Sequence, residues 1–169
     1  MAGDGVSDVA SGARVKSSAG ILLWHRREGG LEVFIAHMGG PFWARKDEAA
    51  WSIPKGEFLP DEDPLQAARR EFAEEIGVAA PELDYITLGE FRQSSGKVVT
   101  AFAAEAEFEV AEVHSNTFPA EWPPKSGRKQ TFPEVDRAAW FSPEDATNKI
   151  LRSQRPVIEA LMQYLRSRS

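Results

Sequence analysis

The alternation of hydrophobic and polar residues predicts two pairs of strands. Residues 18–25 and 31–38 are apolar runs on either side of a polar turn, which is the pattern of a β-hairpin. A second pair, 83–93 and 97–109, meets at a Ser-Ser-Gly turn. Within 97–109, apolar side chains occupy both alternating sets of positions, which indicates a strand covered on both faces. A shorter apolar run predicts a further strand at 135–141.

A helical period of apolar residues begins after Asp63. Asp63 is a typical N-cap residue, Pro64 suits the first helical position, and Gly77 stands where a left-handed residue commonly ends a helix. One face of this helix carries the apolar residues Leu65, Ala68, Phe72 and Ile76. A short helix capped by Ser142 and an amphipathic last helix over about 154–166 are also predicted.

Three stretches connect these elements. Residues 51–57 read as a short strand that breaks into a glycine-containing loop. Residues 39–50 form a loop longer than a hairpin requires, and loops of that length in a compact domain often bind ligands. The segment 114–133, rich in proline and basic residues, is predicted to be irregular. The periodicities alone indicate an α/β or an α+β fold.

The length and composition are typical of a globular domain. The chain has 169 residues, of which 42% are hydrophobic and 27% charged, and this length suits one domain. No apolar run approaches the roughly 20 residues that cross a bilayer. Residues 1–16 lack the basic-then-apolar pattern of a signal peptide. We therefore predict a cytoplasmic protein with a disordered tail at 1–16 and a single domain at 17–169.

The charge and the absence of cysteine narrow the possible chemistry. A chain without cysteine has no disulfides, no thiolate metal site and no cysteine nucleophile. The net charge of −6 argues against a nucleic acid polymer as the main partner. It does not exclude a small polyphosphate, because bound metal ions reverse the local charge. The sequence gives no indication of the oligomeric state.

An acidic cluster lies off the apolar face of the helix that follows Asp63. Glu71 and Glu74 are three residues apart, and Glu71 and Glu75 are four apart, so their side chains project from one face. Each like-charged pair at this spacing costs an isolated helix roughly 0.2–0.5 kcal/mol, and Arg70 offsets only part of that cost. A cation held between the carboxylates would turn the repulsion into binding. Such all-oxygen ligands suit Mg²⁺ or Mn²⁺.

The segment 56–78, GEFLPDEDPLQAARREFAEEIGV, resembles the Nudix box, G-x5-E-x7-R-E-U-x-E-E-x-G-U, in which U is a bulky apolar residue. Every fixed position matches, and Val78 fits the last U, whereas Phe72 stands where an aliphatic residue is more usual. The matching residues are Gly56, Glu62, Arg70, Glu71, Glu74, Glu75 and Gly77. The resemblance implies an α/β/α sandwich built on a mixed β-sheet.

The resemblance also implies Mg²⁺-dependent hydrolysis of a phosphoric anhydride bond, with Mn²⁺ as a substitute. Glu74 and Glu75 would ligate the metal, and Glu71 would bind metal or deprotonate the attacking water. Arg70 would orient Glu71 through a charge-assisted hydrogen bond. The backbone carbonyl of Lys55 would join the metal shell.

The remaining box positions have structural roles by the same resemblance. Glu62 would stabilise the loop–helix junction, and Gly56 would supply a conformation that a side chain forbids. Family members often add a carboxylate from a distant loop. Glu134 is our first choice for it, with Asp136 and Glu112 as alternatives.

The phosphates of the substrate require cations beyond the metal. Lys125, Arg128 and Lys129 lie shortly before the candidate distal carboxylate, so their loop could reach over the site. An ordinary basic surface loop explains the same residues equally well. Lys46 is a weaker candidate, and Trp43 could stack on a nucleobase, although aromatic residues are more often buried.

The resemblance implies the reaction class more firmly than the substrate. The general shape of residues 97–165 resembles that of diadenosine-polyphosphate hydrolases, diphosphoinositol hydrolases and predicted NTP pyrophosphohydrolases. This resemblance favours a nucleoside polyphosphate as the substrate, either an NTP or a diadenosine polyphosphate. Three alternatives stay open: an ADP-ribose or nucleotide-sugar pyrophosphatase, an RNA 5′-pyrophosphohydrolase, and a catalytically silent nucleotide-sensing module. The acidic charge weighs against RNA, and the complete set of box glutamates weighs against a silent module.

Overall fold

A computed structural model describes residues 17–168, and one mixed sheet forms its centre. The predicted tail at 1–16 lies outside the described residues. The strands in chain order are β1 (Ser17–Arg27), β2 (Gly30–Met38), β3 (Trp51–Ser52), β4 (Lys55–Glu57), β5 (Ile86–Arg92), β6 (Val98–Glu105), β7 (Thr117–Glu121), β8 (Lys129–Pro133) and β9 (Val135–Phe141). The helices are α1 (Pro64–Ile76), α2 (Pro143–Lys149) and α3 (Arg155–Ser167), with a 3₁₀ turn at Arg152–Gln154.

Seven strands share the main sheet, in the order β9-β2-β1-β6-β5, with β3 paired to β2 and β4 paired to β1. The pair β1–β6 is parallel, and the other pairs are antiparallel. The sheet is therefore mixed, as the resemblance implied. The predicted strand pairs at 18–25 with 31–38 and at 83–93 with 97–109 are confirmed, with ends shifted by a few residues.

The two faces of the sheet carry separate cores. On β1, Leu22 and Trp24 pack with residues of α2 and α3, while Ile21 and Leu23 pack with residues of α1. This alternation follows from the two-residue period of a strand. The central strand β6 is also covered on both faces, as its sequence predicts. Helices on both sides of the sheet make the fold an α/β/α sandwich.

The segment 114–133 differs from the prediction of irregular structure. Strands β7 and β8 form a separate antiparallel hairpin, in which Thr117 pairs with Pro133 and Glu121 pairs with Lys129. The strands are short and contain proline, and the hairpin is not part of the main sheet. Its residues therefore show no long alternation of buried and exposed positions, which is the signal that sequence patterns provide.

Helix α1 begins and ends at the predicted residues. The Asp63 side chain accepts a hydrogen bond from the Gln66 N–H at 3.0 Å. At the other end, Gly77 has φ of 95°, and its N–H donates to the Ala73 carbonyl. A Cβ at Gly77 would also lie 2.7 Å from the His114 carbonyl oxygen. These caps set the two ends of α1, and the burial of its apolar face sets which side turns toward the sheet.

No helix within residues 17–168 is both long and apolar enough to span a membrane. The predicted cytoplasmic location stays a prediction.

Candidate active site

One pocket of about 360 Å³ lies between α1, β4 and the turn before β9. The box glutamates Glu71, Glu74 and Glu75 line it, together with Glu134 from the far part of the chain. We call it the carboxylate pocket; its full lining is Ser18, Lys55, Gly56, Glu57, Glu71, Glu74, Glu75, Lys97 and Glu134. The structure thus brings the predicted box carboxylates and the predicted distal carboxylate to one place.

Gly56 allows the close approach of Glu71 to β4. A Cβ at this position would lie 1.8 Å from Oε1 of Glu71, far inside contact distance. Gly56 is absent from the glycines with positive φ in the described chain. The glycine is therefore required for the space it leaves to Glu71, and the expectation of a special backbone conformation differs from what is found.

Arg70 connects Glu71 to Glu62. Its Nη1 donates to Oε2 of Glu71 at 2.7 Å, while Nε and Nη2 donate to the two carboxylate oxygens of Glu62 at 3.0 and 3.1 Å. Glu62 in turn accepts a hydrogen bond from the Leu59 N–H at 3.3 Å. The two-point contact with Glu62 fixes the plane of the guanidinium, so Arg70 presents a defined donor to Glu71.

Glu75 lies against β4 and is electrostatically unusual. Its Oε1 accepts a hydrogen bond from the backbone N–H of Lys55 at 3.2 Å. Burial raises the pKa of the Glu75 carboxyl to about 8, and the negative charges of Glu134 and Glu71 add to this, although Lys55 favours the ionised form. The contact seen here uses the amide of Lys55, and the role of its carbonyl as a metal ligand stays a prediction.

The pKa of the Glu71 carboxyl is also raised, by less than that of Glu75. Burial raises its pKa, the hydrogen bond from Arg70 lowers it, and the charge of Glu74 raises it again. Its side chain is 14% exposed, compared with 39% for Glu74. Burial and the charge of Glu74 thus favour the protonated form of Glu71, and the hydrogen bond from Arg70 favours the carboxylate.

Two lysines bring positive charge into the carboxylate pocket. Burial lowers the pKa of the Lys55 ammonium, and the nearby charges of Glu75, Glu57 and Glu134 raise it. The Nζ of Lys97 forms an ion pair with Glu57 at 2.8 Å. Lys97 could not be predicted from the sequence, because the parallel pairing of β1 with β6 is what brings the start of β6 beside β4.

Asn116 joins the distal carboxylate to the box. Its backbone N–H donates to the Glu74 carbonyl at 2.9 Å, and its Nδ2 donates to Oε1 of Glu74 at 3.3 Å. The Asn116 carbonyl accepts the N–H of Glu134 at 2.9 Å, and the Glu134 carbonyl accepts the N–H of Gly39. Sequence reasoning missed Asn116, which lies in the segment predicted to be irregular.

The alternatives to Glu134 have other partners. Asp136 pairs with Nδ1 of the fully buried His37 at 2.8 Å, and Glu112 pairs with His114 at 3.1 Å. Of the three candidates, Glu134 is the one that lines the carboxylate pocket.

The cations predicted to bind phosphate do not line the carboxylate pocket. Lys125, Arg128 and Lys129 are exposed at the turn end of the β7–β8 hairpin, outside the lining of the carboxylate pocket. The Nζ of Lys46 lies 3.6 Å from the centre of the Phe42 ring. Trp43 lines a neighbouring cavity. Their roles in substrate binding stay predictions.

The donor set of the carboxylate pocket fits a hard divalent cation. Its candidate ligands are carboxylate oxygens without sulfur or imidazole, as Mg²⁺ and Mn²⁺ prefer. The Ser18 hydroxyl, 1% exposed, lines the same pocket and has no hydrogen-bond partner among the described residues. Within 17–168, no three acidic or histidine side chains are grouped tightly enough to hold an ion as they stand. Arg70, Lys55 and Asn116 hold the glutamates instead.

Comparisons with known proteins identify the family and the fold. The model of the NUDIX domain matches residues 14–161. The structure is similar to a Caenorhabditis elegans Ap4A hydrolase in a binary complex, with a TM-score of 0.61, 21% identity and coverage of 89% of this chain and 98% of that one. It is also similar to the NUDIX domain of Shewanella oneidensis NrtR complexed with ADP ribose, with a TM-score of 0.59, 18% identity and coverage of 90% and 89%.

A MutT protein from Methanosarcina mazei is similar as well, with a TM-score of 0.56, 19% identity and coverage of 89% of this chain and 94% of that one. No curated protein matches the chain. The solved structures show the fold, and the family model spans most of the sequence, including the box. The chain therefore belongs to the Nudix family and is a hydrolase of phosphoric anhydride bonds.

Proposed function

We propose that the protein hydrolyses a phosphoanhydride bond in a small nucleoside polyphosphate, an NTP or a diadenosine polyphosphate, and that Mg²⁺ is its cofactor. The observation that supports this most is the shared pocket of Glu71, Glu74, Glu75 and Glu134. Four acidic side chains from two distant parts of the chain converge there, and the half-buried Lys55 lines the same pocket.

The electrostatics of the pocket support a metal-dependent reaction. Burial raises the pKa of Glu75 to about 8, and the charges of Glu134 and Glu71 add to this. Divalent ions held by Glu71, Glu74, Glu75 and Glu134 would neutralise phosphoryl charge and orient the attacking water. Mn²⁺ has similar ligand preferences and would substitute.

Side chains of the protein supply the proton acceptor and the groups that contact the substrate phosphates. Glu71, positioned by Arg70, accepts a proton from the attacking water at the carboxylate oxygen that Arg70 leaves free. The ammonium groups of Lys55 and Lys97 lie in the same pocket and contact substrate phosphate oxygens. The Ser18 hydroxyl offers a further hydrogen bond to water or phosphate.

The substrate class rests on the likeness of the chain beyond the box and on the fold shared with an Ap4A hydrolase. A second candidate is ADP-ribose, since a neighbour of similar TM-score is complexed with that nucleotide. The net charge of −6 favours a small substrate over an RNA end.

Product analysis separates these candidates. The purified protein is incubated with Mg²⁺ and, separately, with NTPs, diadenosine tetraphosphate and ADP-ribose. Pyrophosphate with NMP identifies an NTP substrate, ATP with AMP identifies the tetraphosphate, and AMP with ribose 5-phosphate identifies ADP-ribose. We expect activity on one of the first two that EDTA abolishes and Mg²⁺ restores. Hydrolysis of ADP-ribose alone would overturn the proposed substrate class, and activity that survives EDTA would overturn the proposed cofactor.

A further inference from the structure

A second cavity, of about 540 Å³, adjoins the carboxylate pocket and shares Lys55 and Lys97 with it. Its other walls come from three separate parts of the chain. Trp43 lies in the loop between β2 and β3, residues 93–95 form the turn between β5 and β6, and residues 151–153 precede α3. We call it the cationic cavity.

The two sites have opposite charge. The carboxylate pocket is lined by five glutamates, namely Glu57, Glu71, Glu74, Glu75 and Glu134. The cationic cavity has no acidic residue in its lining, and its charged groups are Lys55, Lys97 and Arg152. Lys97 already pairs with Glu57, whereas no carboxylate of the described chain pairs with the Arg152 guanidinium. The guanidinium of Arg152 therefore has its full donor capacity available in this cavity.

The walls of the cavity are fixed by buried hydrogen bonds. Gln154 is 1% exposed, and its Oε1 accepts the Ile53 N–H at 2.9 Å. Its Nε2 donates to Oγ of Ser52 at 3.0 Å and reaches Oε1 of Gln93 at 3.4 Å. The Leu151 N–H donates to the Trp51 carbonyl at 2.8 Å. These contacts tie the turn at residues 93–95 and the segment at residues 151–153 to residues 51–53, which form β3 and the position after it.

We infer that the cationic cavity binds the phosphates of the substrate that lie beyond the two joined by the cleaved anhydride bond. Arg152 and Lys97 contact the non-bridging oxygens of these phosphates. Where a second nucleoside follows them, as in a diadenosine polyphosphate, the exposed part of the Trp43 ring stacks on its base. This inference rests on the proposed function, and it makes Arg152 a specificity-determining residue for substrates with three or more phosphates.

The chemistry explains why such a site is needed. Phosphates next to the cleaved bond share the charge of the metal ions, whereas phosphates farther along the chain stay anionic and require protein cations. Arginine is suited to bind these phosphates because its planar guanidinium donates two parallel hydrogen bonds to one phosphate group. A substrate with only two phosphates, such as ADP-ribose, places fewer charges in the cavity. The contribution of Arg152 therefore grows with the number of phosphates.

Arg152→Ala tests the inference, with Arg168→Ala as the matched control. Arg168 is an exposed arginine near the end of the chain, where its guanidinium lies over the Tyr164 ring. KM and kcat are measured for ATP, diadenosine tetraphosphate and ADP-ribose. We expect Arg152→Ala to raise KM for the first two on the order of tenfold, to change kcat less than twofold, and to affect ADP-ribose less. Arg168→Ala should match the wild type on all three.

A binding measurement separates this inference from the proposed function. Calorimetric titration of the wild type and of both variants with Mg²⁺ and an ATP analogue that has methylene groups in place of both bridging anhydride oxygens gives affinities that do not depend on turnover. Weaker binding by Arg152→Ala alone supports the cavity even if no substrate is hydrolysed, in which case only the proposed function fails. Equal affinities and equal KM values in active enzymes would overturn the cavity assignment and leave the proposed function intact. A loss in kcat at unchanged KM would overturn it as well.

Discussion

The carboxylate of Glu71 occupies the space that a side chain at position 56 would fill, since a Cβ at Gly56 would lie 1.8 Å from its Oε1. This relationship joins the first residue of the box motif to its central glutamate across β4 and α1. The neighbouring residue, Lys55, makes a second contact from β4 to α1, because its backbone N–H donates a hydrogen bond to Glu75. The motif therefore encodes the contact between a strand and a helix as well as a set of ligands.

Gly56→Ala should remove most of the activity. The added methyl group must displace the Glu71 carboxylate, and a misplacement of about 1 Å in a catalytic group can cost about 10²-fold in rate. The measurement is kcat at saturating Mg²⁺, together with the thermal midpoint. Gly29→Ala is the control, because a Cβ there would meet no atom within 4 Å. Full activity of Gly56→Ala would show that Glu71 need not lie where the structure places it.

Arg70→Lys should reduce kcat at least about tenfold. Lysine cannot reproduce the two-point contact with Glu62 and the simultaneous donation to Glu71. The hydrogen bond from Arg70 lowers the pKa of Glu71, so its loss should move the acidic limb of the kcat profile to higher pH. Arg69→Lys, at the neighbouring arginine that pairs with Glu82, is the control. An unchanged pH profile in Arg70→Lys would contradict the positioning role.

Glu75 should make the metal-free protein less stable as pH rises. Its pKa is about 8 in the folded chain, compared with an ordinary value of 4.5. The folded state therefore holds more protons than the unfolded state between those values, and the free energy of unfolding falls across that window. Urea unfolding in EDTA at several pH values between about 5 and 8 measures the slope. Glu75→Gln should flatten it, and equal slopes in both proteins would contradict the burial of this carboxyl.

Glu134→Ala should weaken Mg²⁺ binding, whereas Asp136→Ala should lower the stability of the fold. Glu134 lines the carboxylate pocket, so its loss should weaken Mg²⁺ affinity about tenfold with little change in the thermal midpoint. Asp136 pairs with buried His37, so its loss should destabilise the fold by about 1–3 kcal/mol and leave Mg²⁺ affinity unchanged. Calorimetric Mg²⁺ titration and thermal unfolding of both variants decide the point. Weaker metal binding in Asp136→Ala alone would reverse the assignment of the distal carboxylate.

Local signals made much of the fold predictable. The caps at Asp63 and Gly77 and the apolar face of α1 are short-range features, and the structure has them at the predicted residues. The strand pairs were predictable for the same reason, because both faces of β1 and β6 are buried and their alternation is strong. The spacing of the box then identified three glutamates that lie together in the structure.

Features that depend on the packing of distant segments were not predictable. Lys97 enters the carboxylate pocket through the parallel pairing of β1 and β6, and Arg152 reaches the cationic cavity because Gln154 is buried beside β3. Asn116 lies at the base of a hairpin whose strands are too short to show a period. The steric need for glycine at position 56 could not be predicted either, because Glu71, whose side chain occupies that space, lies fifteen positions farther along the chain.

The role of Glu74 in metal-dependent catalysis is tested most directly by the kcat of Glu74→Gln relative to wild type, on the substrate that the product analysis identifies. The glutamine keeps the size of the side chain and removes its charge, and calorimetry establishes the Mg²⁺ concentration at which the variant is fully loaded. We predict a fall in kcat of at least about 10²-fold. A loss of less than about threefold at full metal occupancy would contradict the role of the box carboxylates.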